Sequence, residues 1–370
     1  KLSAQGAQAN MKALLPFDMK QIQRMIDEIR KWMPFTPSSK VVCLGITYDC
    51  SEDAAREQFL EDFRSRILLT YRCGLEPPLQ LAGGGTTASD SGWGCMLRVT
   101  QMMLAQCFLS LSLGREWRFG EKDLKEGSTY LRITSCFLDT PKALFSLHRL
   151  VEMGQHILGK EPSSWFGPTS AAQAVGHLFE TSKGAGRPDF LQEVGCAVFV
   201  DGPIYKETVM ERFDGGCTSV IILVCRRLGL ESCNLDEYQQ GLDVCFRLPE
   251  FQGLASGNSS SSAHFFVATH GEDSLLFMDP HVTYPALKKD ADVVASCGLR
   301  AGRPLRLPWS SLNPSVCVAF LVQSKSEFLS LCDRLCEGPG EQLFEVLERQ
   351  PTYNAAFDDL LEADDLVVVS

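Results

Sequence analysis

Ser89-Asp90-Ser91-Gly92-Trp93-Gly94-Cys95-Met96-Leu97-Arg98 runs from a glycine-rich loop straight into an apolar helix, with a cysteine at the junction. The first turn of a helix leaves backbone N–H groups unpaired and carries the positive end of the macrodipole. A thiol there ionises more readily than in bulk water. Gly92 and Gly94 let the chain turn tightly and leave the space in front of the sulfur open. Cys95 is therefore the candidate nucleophile. Its helix is apolar on nearly every side (Met96, Leu97, Val99, Met102, Met103, Leu104, Phe108, Leu111), the pattern of a helix buried all round.

Working outward, residues 1–40 combine a short helical pattern with the Pro-rich exit Trp32-Met33-Pro34-Phe35-Thr36-Pro37 and are expected to form a peripheral arm. A strand follows at Val41–Leu44. From Ser51, Phe59, Phe63, Ile67 and Tyr71 recur every four residues, which predicts one amphipathic helix whose last turn carries Tyr71 and Arg72. Thr140-Pro141 predicts the start of another helix, and Gly167-Pro168 of a fourth. Beyond the break at 183–188 the periodicity changes. Val194–Val200 and Ser219–Val224 are short and almost continuously apolar, as strands covered on both faces should be. Residues 250–262 are expected to form a Gly/Ser loop. His264–Thr269 and Ser274–Asp279 form a hairpin joined by residues 270–273, and Val316–Gln323 is one more strand. It ends in Ser324-Lys325-Ser326-Glu327, a capping box that starts a last helix. Helices first and strands later predict an α+β fold: a central helix carrying Cys95, packed on a mostly antiparallel sheet, the papain-like arrangement.

Composition narrows the function. The net charge is −11, from 35 Lys and Arg against 46 Asp and Glu, with no basic cluster that would track phosphates. This excludes nucleic acid as the main partner and suits a basic protein surface. No run approaches the ~18 consecutive apolar residues of a membrane helix. Fifteen cysteines, an odd number without any C-x-x-C pair, are scattered through apolar segments. That pattern predicts free thiols in a reducing, cytoplasmic setting, with no metal and no cofactor.

A thiol nucleophile needs a base and a group that orients the base. Of six histidines, His281 in Met278-Asp279-Pro280-His281 leaves a buried strand with a carboxylate two residues before it. Residues i and i+2 share one face of an extended segment, so Asp279 can hold one imidazole nitrogen while the other faces the thiol. Alone, the tripeptide equally fits a turn with a solvated histidine. Beside a cysteine at a Gly-rich helix start, catalysis is the stronger reading. His264 lies on an apolar strand as a supporting residue. Trp93 and Trp165 either anchor the core or wall a groove that admits residues without side chains. Tyr71 either closes its helix stripe or donates its hydroxyl to an oxyanion.

Four segments in this order, Gly92-Trp93-Gly94-Cys95-Met96-Leu97-Arg98, Trp165-Phe166-Gly167-Pro168, Ser262-Ala263-His264-Phe265 and Met278-Asp279-Pro280-His281, resemble the signatures of the autophagins. These are cysteine proteases that process ubiquitin-like autophagy modifiers. The resemblance implies a papain-like protease domain at 41–337 with a small inserted subdomain at 181–218, followed by an acidic tail at 338–370. It implies cleavage after a C-terminal glycine of the modifier, both to mature the precursor and to release the modifier from phosphatidylethanolamine. Partners would be the modifier, as precursor and lipidated form, with transient membrane contact through the lipidated substrate. By motif, Cys95 is nucleophile, His281 base, Asp279 its orienter and Tyr71 an oxyanion contributor. Trp93, Gly94, Trp165, Gly257 and His264 would border the substrate, with Trp165 and the loop around Gly257 covering the site at rest. That loop lacks the family's paired glycines and proline and reads Leu254-Ala255-Ser256-Gly257-Asn258-Ser259. Phe344-Glu345-Val346-Leu347 and Phe357-Asp358-Asp359-Leu360 fit the family's modifier-binding pattern, an aromatic followed by an aliphatic residue. A catalytically weak binder of the same fold and a protease for another ubiquitin-like protein are the alternatives.

Overall fold

The computed structural model of the chain describes residues 40–351, apart from 82, 183–185, 201 and 259–261. The expected N-terminal arm up to residue 39, and the tail motif at Phe357–Leu360, lie outside the described residues. Nine strands among the described residues form one sheet. They are β1 (Lys40–Cys43), β2 (Ile46–Asp49), β3 (Val194–Phe199), β4 (Ser219–Arg227), β5 (Phe251–Asn258), β6 (Ala263–His270), β7 (Ser274–Met278), β8 (Leu305–Pro308) and β9 (Leu312–Val322). Their order is β8-β7-β6-β5-β9-β4-β3, with β1 and β2 added beside β6. Only β3 with β4 runs parallel in this sheet, so it is mostly antiparallel, as expected. The main helices are α1 (Asp53–Arg64), α2 (Cys95–Leu113), α3 (Leu147–Leu158), α4 (Pro168–Thr181), α5 (Lys206–Asp214), α6 (Leu235–Arg247) and α7 (Lys325–Leu335).

α2 decides the layering. Every residue from Cys95 to Ser110 is buried, because the helix carries no polar face to turn toward water. It is apolar and long enough to cross a membrane by composition, yet it lies inside the fold, against β5, β6 and β9. α4 packs on β3, β4 and β9, and α6 on β1, β5 and β6. β6 and β7 are buried at every position, as strands covered on both faces must be.

Several boundaries differ from expectation for identifiable reasons. The helix predicted to reach Tyr71 stops at Arg64. Beyond Arg66 the backbone bonds elsewhere: the Leu68 N–H donates to the Leu299 carbonyl at 2.7 Å and the Tyr71 N–H to the Pro280 carbonyl at 2.9 Å. Ile67 and Tyr71 are buried in an extended segment, so their spacing mimics a helix stripe. The helix expected from Thr140 starts at Leu147, where Ser146 caps it by accepting the Arg149 N–H. At α7, Ser324 accepts the Glu327 N–H, while the Glu327 carboxylate reaches back to the Gln323 N–H. The expected loop at 250–262 is mostly β5, so Gly257 is a strand residue paired with Ala263. α6 buries Leu242, Cys245 and Phe246 along one side, next to Gly241. A Cβ there would sit 2.6 Å from the Pro339 carbonyl oxygen, so glycine is what lets the following chain dock.

Residues 181–218, expected as an inserted subdomain, contribute β3 to the end of the main sheet and lay α5 against β3 and β4. The acidic tail expected from 338 begins with a helical turn at Gly340–Leu343 packed on α6. Val346–Leu347 then pairs in parallel with Ile204–Tyr205. Phe344 is buried, its ring 5.8 Å from that of Phe320, so Phe344–Leu347 belongs to the fold and does not offer its aromatic residue to a partner.

The core's aromatic centre lies on α2, where Phe108 meets the rings of Phe137, Phe145, Phe179 and Phe190 at 5.6–6.5 Å. Phe108→Ala should lower stability by about 3–5 kcal/mol, read as a fall in the urea midpoint. An unchanged midpoint would show that α2 is not the core's centre.

Candidate active site

Cys95 is the first residue of α2, and Gly94 is its N-cap. The loop before it folds on Asp90, whose carbonyl accepts the Gly94 N–H at 2.9 Å and the Trp93 N–H at 3.2 Å. A Cβ on Gly94 would lie 2.7 Å from the Asp90 side chain, so only glycine permits this turn. Opposite, β7 ends at Met278 and delivers Asp279-Pro280-His281 beside the sulfur. The third contributor is the extended segment after α1. Tyr71 lies between the two because its N–H bonds Pro280 and its carbonyl accepts the Tyr284 N–H at 3.0 Å. Its ring meets that of His281 edge-on at 5.4 Å.

The contacts form a chain from carboxylate to thiol. His281 Nδ1–H donates to Asp279 Oδ1, which also accepts the His281 backbone N–H at 3.1 Å. The imidazole bonds the Cys95 thiol, and the sulfur also receives the Ala263 backbone N–H and the Tyr71 hydroxyl. The Gly92 N–H bonds the Tyr71 oxygen and so orients it. Burial by itself pushes the Cys95 thiol up. The hydrogen bonds from His281, Ala263 and Tyr71, with the charge on His281, outweigh it and leave the thiol below its ordinary value. For His281 burial acts downward, but Asp279 and then Cys95 raise it to about 9. A lowered thiol beside a raised imidazole favours the thiolate and imidazolium pair. Burial, then the charge and hydrogen bond of Cys95, hold the Tyr71 hydroxyl far above the usual tyrosine range, so it remains a proton donor.

Cys95, His281, Asp279 and Tyr71 are thus brought together. The Gly257 strand pairs with Ala263, whose N–H reaches the sulfur, so Gly257 supports the site through the hairpin and not as a covering loop. His264 has no exposed surface. Its ring packs at 4.4 Å on Phe277 and 5.4 Å from His281, with Nε2 4.0 Å from Asp279 Oδ1, so it backs the pair and cannot border substrate. Trp93 is 9% exposed and donates its indole N–H to the Ser89 carbonyl at 3.1 Å. Trp165 is 44% exposed, and no hydrogen bond or ring contact joins it to Cys95 among the described residues. Sequence reasoning missed the roles of the Ala263 and Gly92 amides, because no side chain announces a backbone N–H.

A cavity of about 400 Å³ opens beside Asp279 and His281, walled by Phe63, Leu68, Phe277 and Met278. A larger one, about 750 Å³, lies behind Arg72 and Tyr284 and holds none of the four residues. His264, Asp279 and His281 have donor atoms within 4.8 Å of one another, the spacing of a metal site. Asp279 and His281 already hold each other there, so an ion would remove the base from its thiol.

The Peptidase C54 catalytic domain matches residues 56–334. The chain is 32% identical over 325 residues to the probable cysteine protease atg4 of Sclerotinia sclerotiorum, covering 79% of this chain and 70% of that protein. It is 31% identical over 394 residues to the probable cysteine protease atg4 of Aspergillus niger, covering 89% and 93%. It is also 30% identical over 387 residues to the cysteine protease atg4 of Emericella nidulans, covering 90% and 93%.

The two shifts predict a bell-shaped dependence of hydrolysis on pH. Activity should rise below the ordinary thiol value as the thiolate forms, and fall as His281 loses its proton near pH 9. Asp279→Asn should draw the alkaline limb to lower pH. An acid limb lying above the ordinary thiol value would contradict this electrostatic reading.

Proposed function

The chain belongs to the peptidase C54 family of cysteine proteases, and on that premise we propose that it cleaves ubiquitin-like autophagy modifiers after a C-terminal glycine. Cleavage would mature the precursor and later release the modifier from phosphatidylethanolamine. The observation that carries this reading is the Cys95–His281–Asp279 chain of contacts at a helix start whose approach is made of Gly92, Trp93 and Gly94.

Each residue then has a role that its surroundings support. The Cys95 thiolate attacks the carbonyl carbon of the glycine, and the oxyanion takes hydrogen bonds from the Cys95 backbone N–H and the protonated Tyr71 hydroxyl. His281 gives its proton to the leaving amine, which is the next residue of the precursor or the amine of the lipid. Neutral His281 then draws a proton from water, whose oxygen attacks the thioester carbonyl and frees Cys95. Asp279 keeps the imidazole in the required tautomer throughout. The modifier, in precursor and lipidated form, is the partner, and contact with membranes is transient and made through the lipidated substrate. Trp165, exposed beside the start of α4, would border it. All fifteen cysteines are free thiols, which supports work in the cytoplasm.

Cys95→Ala should abolish cleavage of a modifier precursor while leaving binding intact. Mass measurement of the wild-type product should place its end at the glycine. Full cleavage by the variant, or a wild-type protein that binds without turnover across pH, would overturn the reading.

A further inference from the structure

Arg98, one turn into α2 from Cys95, is 1% exposed and lies between two carboxylates that have no exposure at all. Its Nε donates to Asp90 Oδ2 at 2.7 Å, and its Nη1 is 2.8 Å from Asp139 Oδ1 and 3.1 Å from Gln101 Oε1. A second buried guanidinium completes the group, with Arg72 Nε 3.8 Å from Asp139 Oδ2. Two positive and two negative charges thus sit together in the core, formally balanced.

What they hold is the backbone of three separate segments. Asp90 Oδ1 accepts the Arg72 N–H at 2.6 Å, and the Asp90 N–H returns to the Arg72 carbonyl at 3.3 Å, which joins the loop before Cys95 to the residue after Tyr71. Asp139 Oδ2 accepts the Leu287 N–H at 2.9 Å, and its own N–H donates to the Leu287 carbonyl at 2.7 Å. Arg72 Nη1 donates to the Pro285 carbonyl at 3.2 Å. These last bonds hold the chain that leaves His281. One charge group therefore ties together the segments that carry Cys95, Tyr71 and His281, without touching any of the three side chains.

Apolar residues of equal volume would pack here as well or better, since burying charges costs desolvation that their attraction seldom exceeds. What the charges add is a fixed geometry: the planar guanidinium fork accepts only one arrangement of its two carboxylates. We propose that Arg98, with Asp90 and Asp139, is the positioning unit of this active site, setting the spacing of the thiol, the imidazole and the Tyr71 hydroxyl. The proposal rests on Cys95 and His281 acting as described above. Misplacement of reacting groups by about 1 Å costs on the order of a hundredfold in rate, so a unit of this kind acts on turnover more than on substrate affinity.

Arg98→Lys keeps the buried charge and loses the fork, while Asp139→Asn keeps the shape and loses one charge. Each folded variant would be assayed on a modifier precursor for kcat and KM, and separately for the pH dependence of Cys95 alkylation by iodoacetamide. The expected result is a fall in kcat of at least tenfold with KM within about threefold of wild type, and an alkylation profile moved to higher pH. A loss confined to KM or to melting temperature, with the alkylation profile unmoved, would overturn the proposal. If Arg98→Lys does not fold, Asp139→Asn decides by the same criteria. Alkylation requires no substrate, so a protein that fails on every precursor but shows the shifted profile would refute the proposed function and not this one.

Discussion

A helix of nineteen residues with no face suited to water can exist here only if the rest of the chain encloses it, and that constraint organises the molecule. α2 lies against β5, β6 and β9, so its first residue is brought to the point where the β5–β6 hairpin and the exit of β7 converge. Cys95 is thereby presented to Ala263 on one strand and His281 beyond another, though the three are far apart in sequence. The reactive position is a consequence of the core, and not a loop laid over it.

The same core contains other cysteines, and their contrast with Cys95 isolates what makes a thiol reactive. Burial raises Cys43, Cys136 and Cys196 to about 12, and leaves them inert at neutral pH. Cys95 is also buried, so burial alone predicts the same fate. It differs by three hydrogen bonds and the charge of an imidazole, enough to reverse the direction of the shift. Asp279 reaches the sulfur only through His281, raising the imidazole so that it stays charged beside a thiolate. A helix start favours that thiolate, but in this protein the partners across the sheet decide it.

Much of this was legible in the sequence where one local signal dominated. The all-round apolar pattern after Cys95, the Gly-Pro start of α4, the hairpin of β6 and β7 and the cap at Ser324 each have one local cause and appear as expected. Errors arose where tertiary contacts replaced local ones. Ile67 and Tyr71 keep a helical spacing, but the Leu68 and Tyr71 N–H groups bond the carbonyls of Leu299 and Pro280, more than two hundred residues away in the chain. Gly253, Ser256 and Gly257 suggest a loop, yet neighbours on both sides supply the hydrogen bonds that make 251–258 a strand. The reason for glycine at 241 in α6, the approach of Pro339, is likewise visible only in the fold. Within the site, side chains with distinctive chemistry were identified, whereas the amides of Ala263 and Gly92 became visible only with the fold.

The chemistry of the site depends on a Cys95 thiolate paired with a protonated His281. The most direct test is the ultraviolet absorbance of thiolate in wild-type protein minus that in Cys95→Ser, followed as pH is raised. The Cys95 signal should emerge below the ~8.5 of a free thiol, and His281→Ala should move it to higher pH. A Cys95 signal that emerges only above the free-thiol value, or that persists unchanged in His281→Ala, would contradict it.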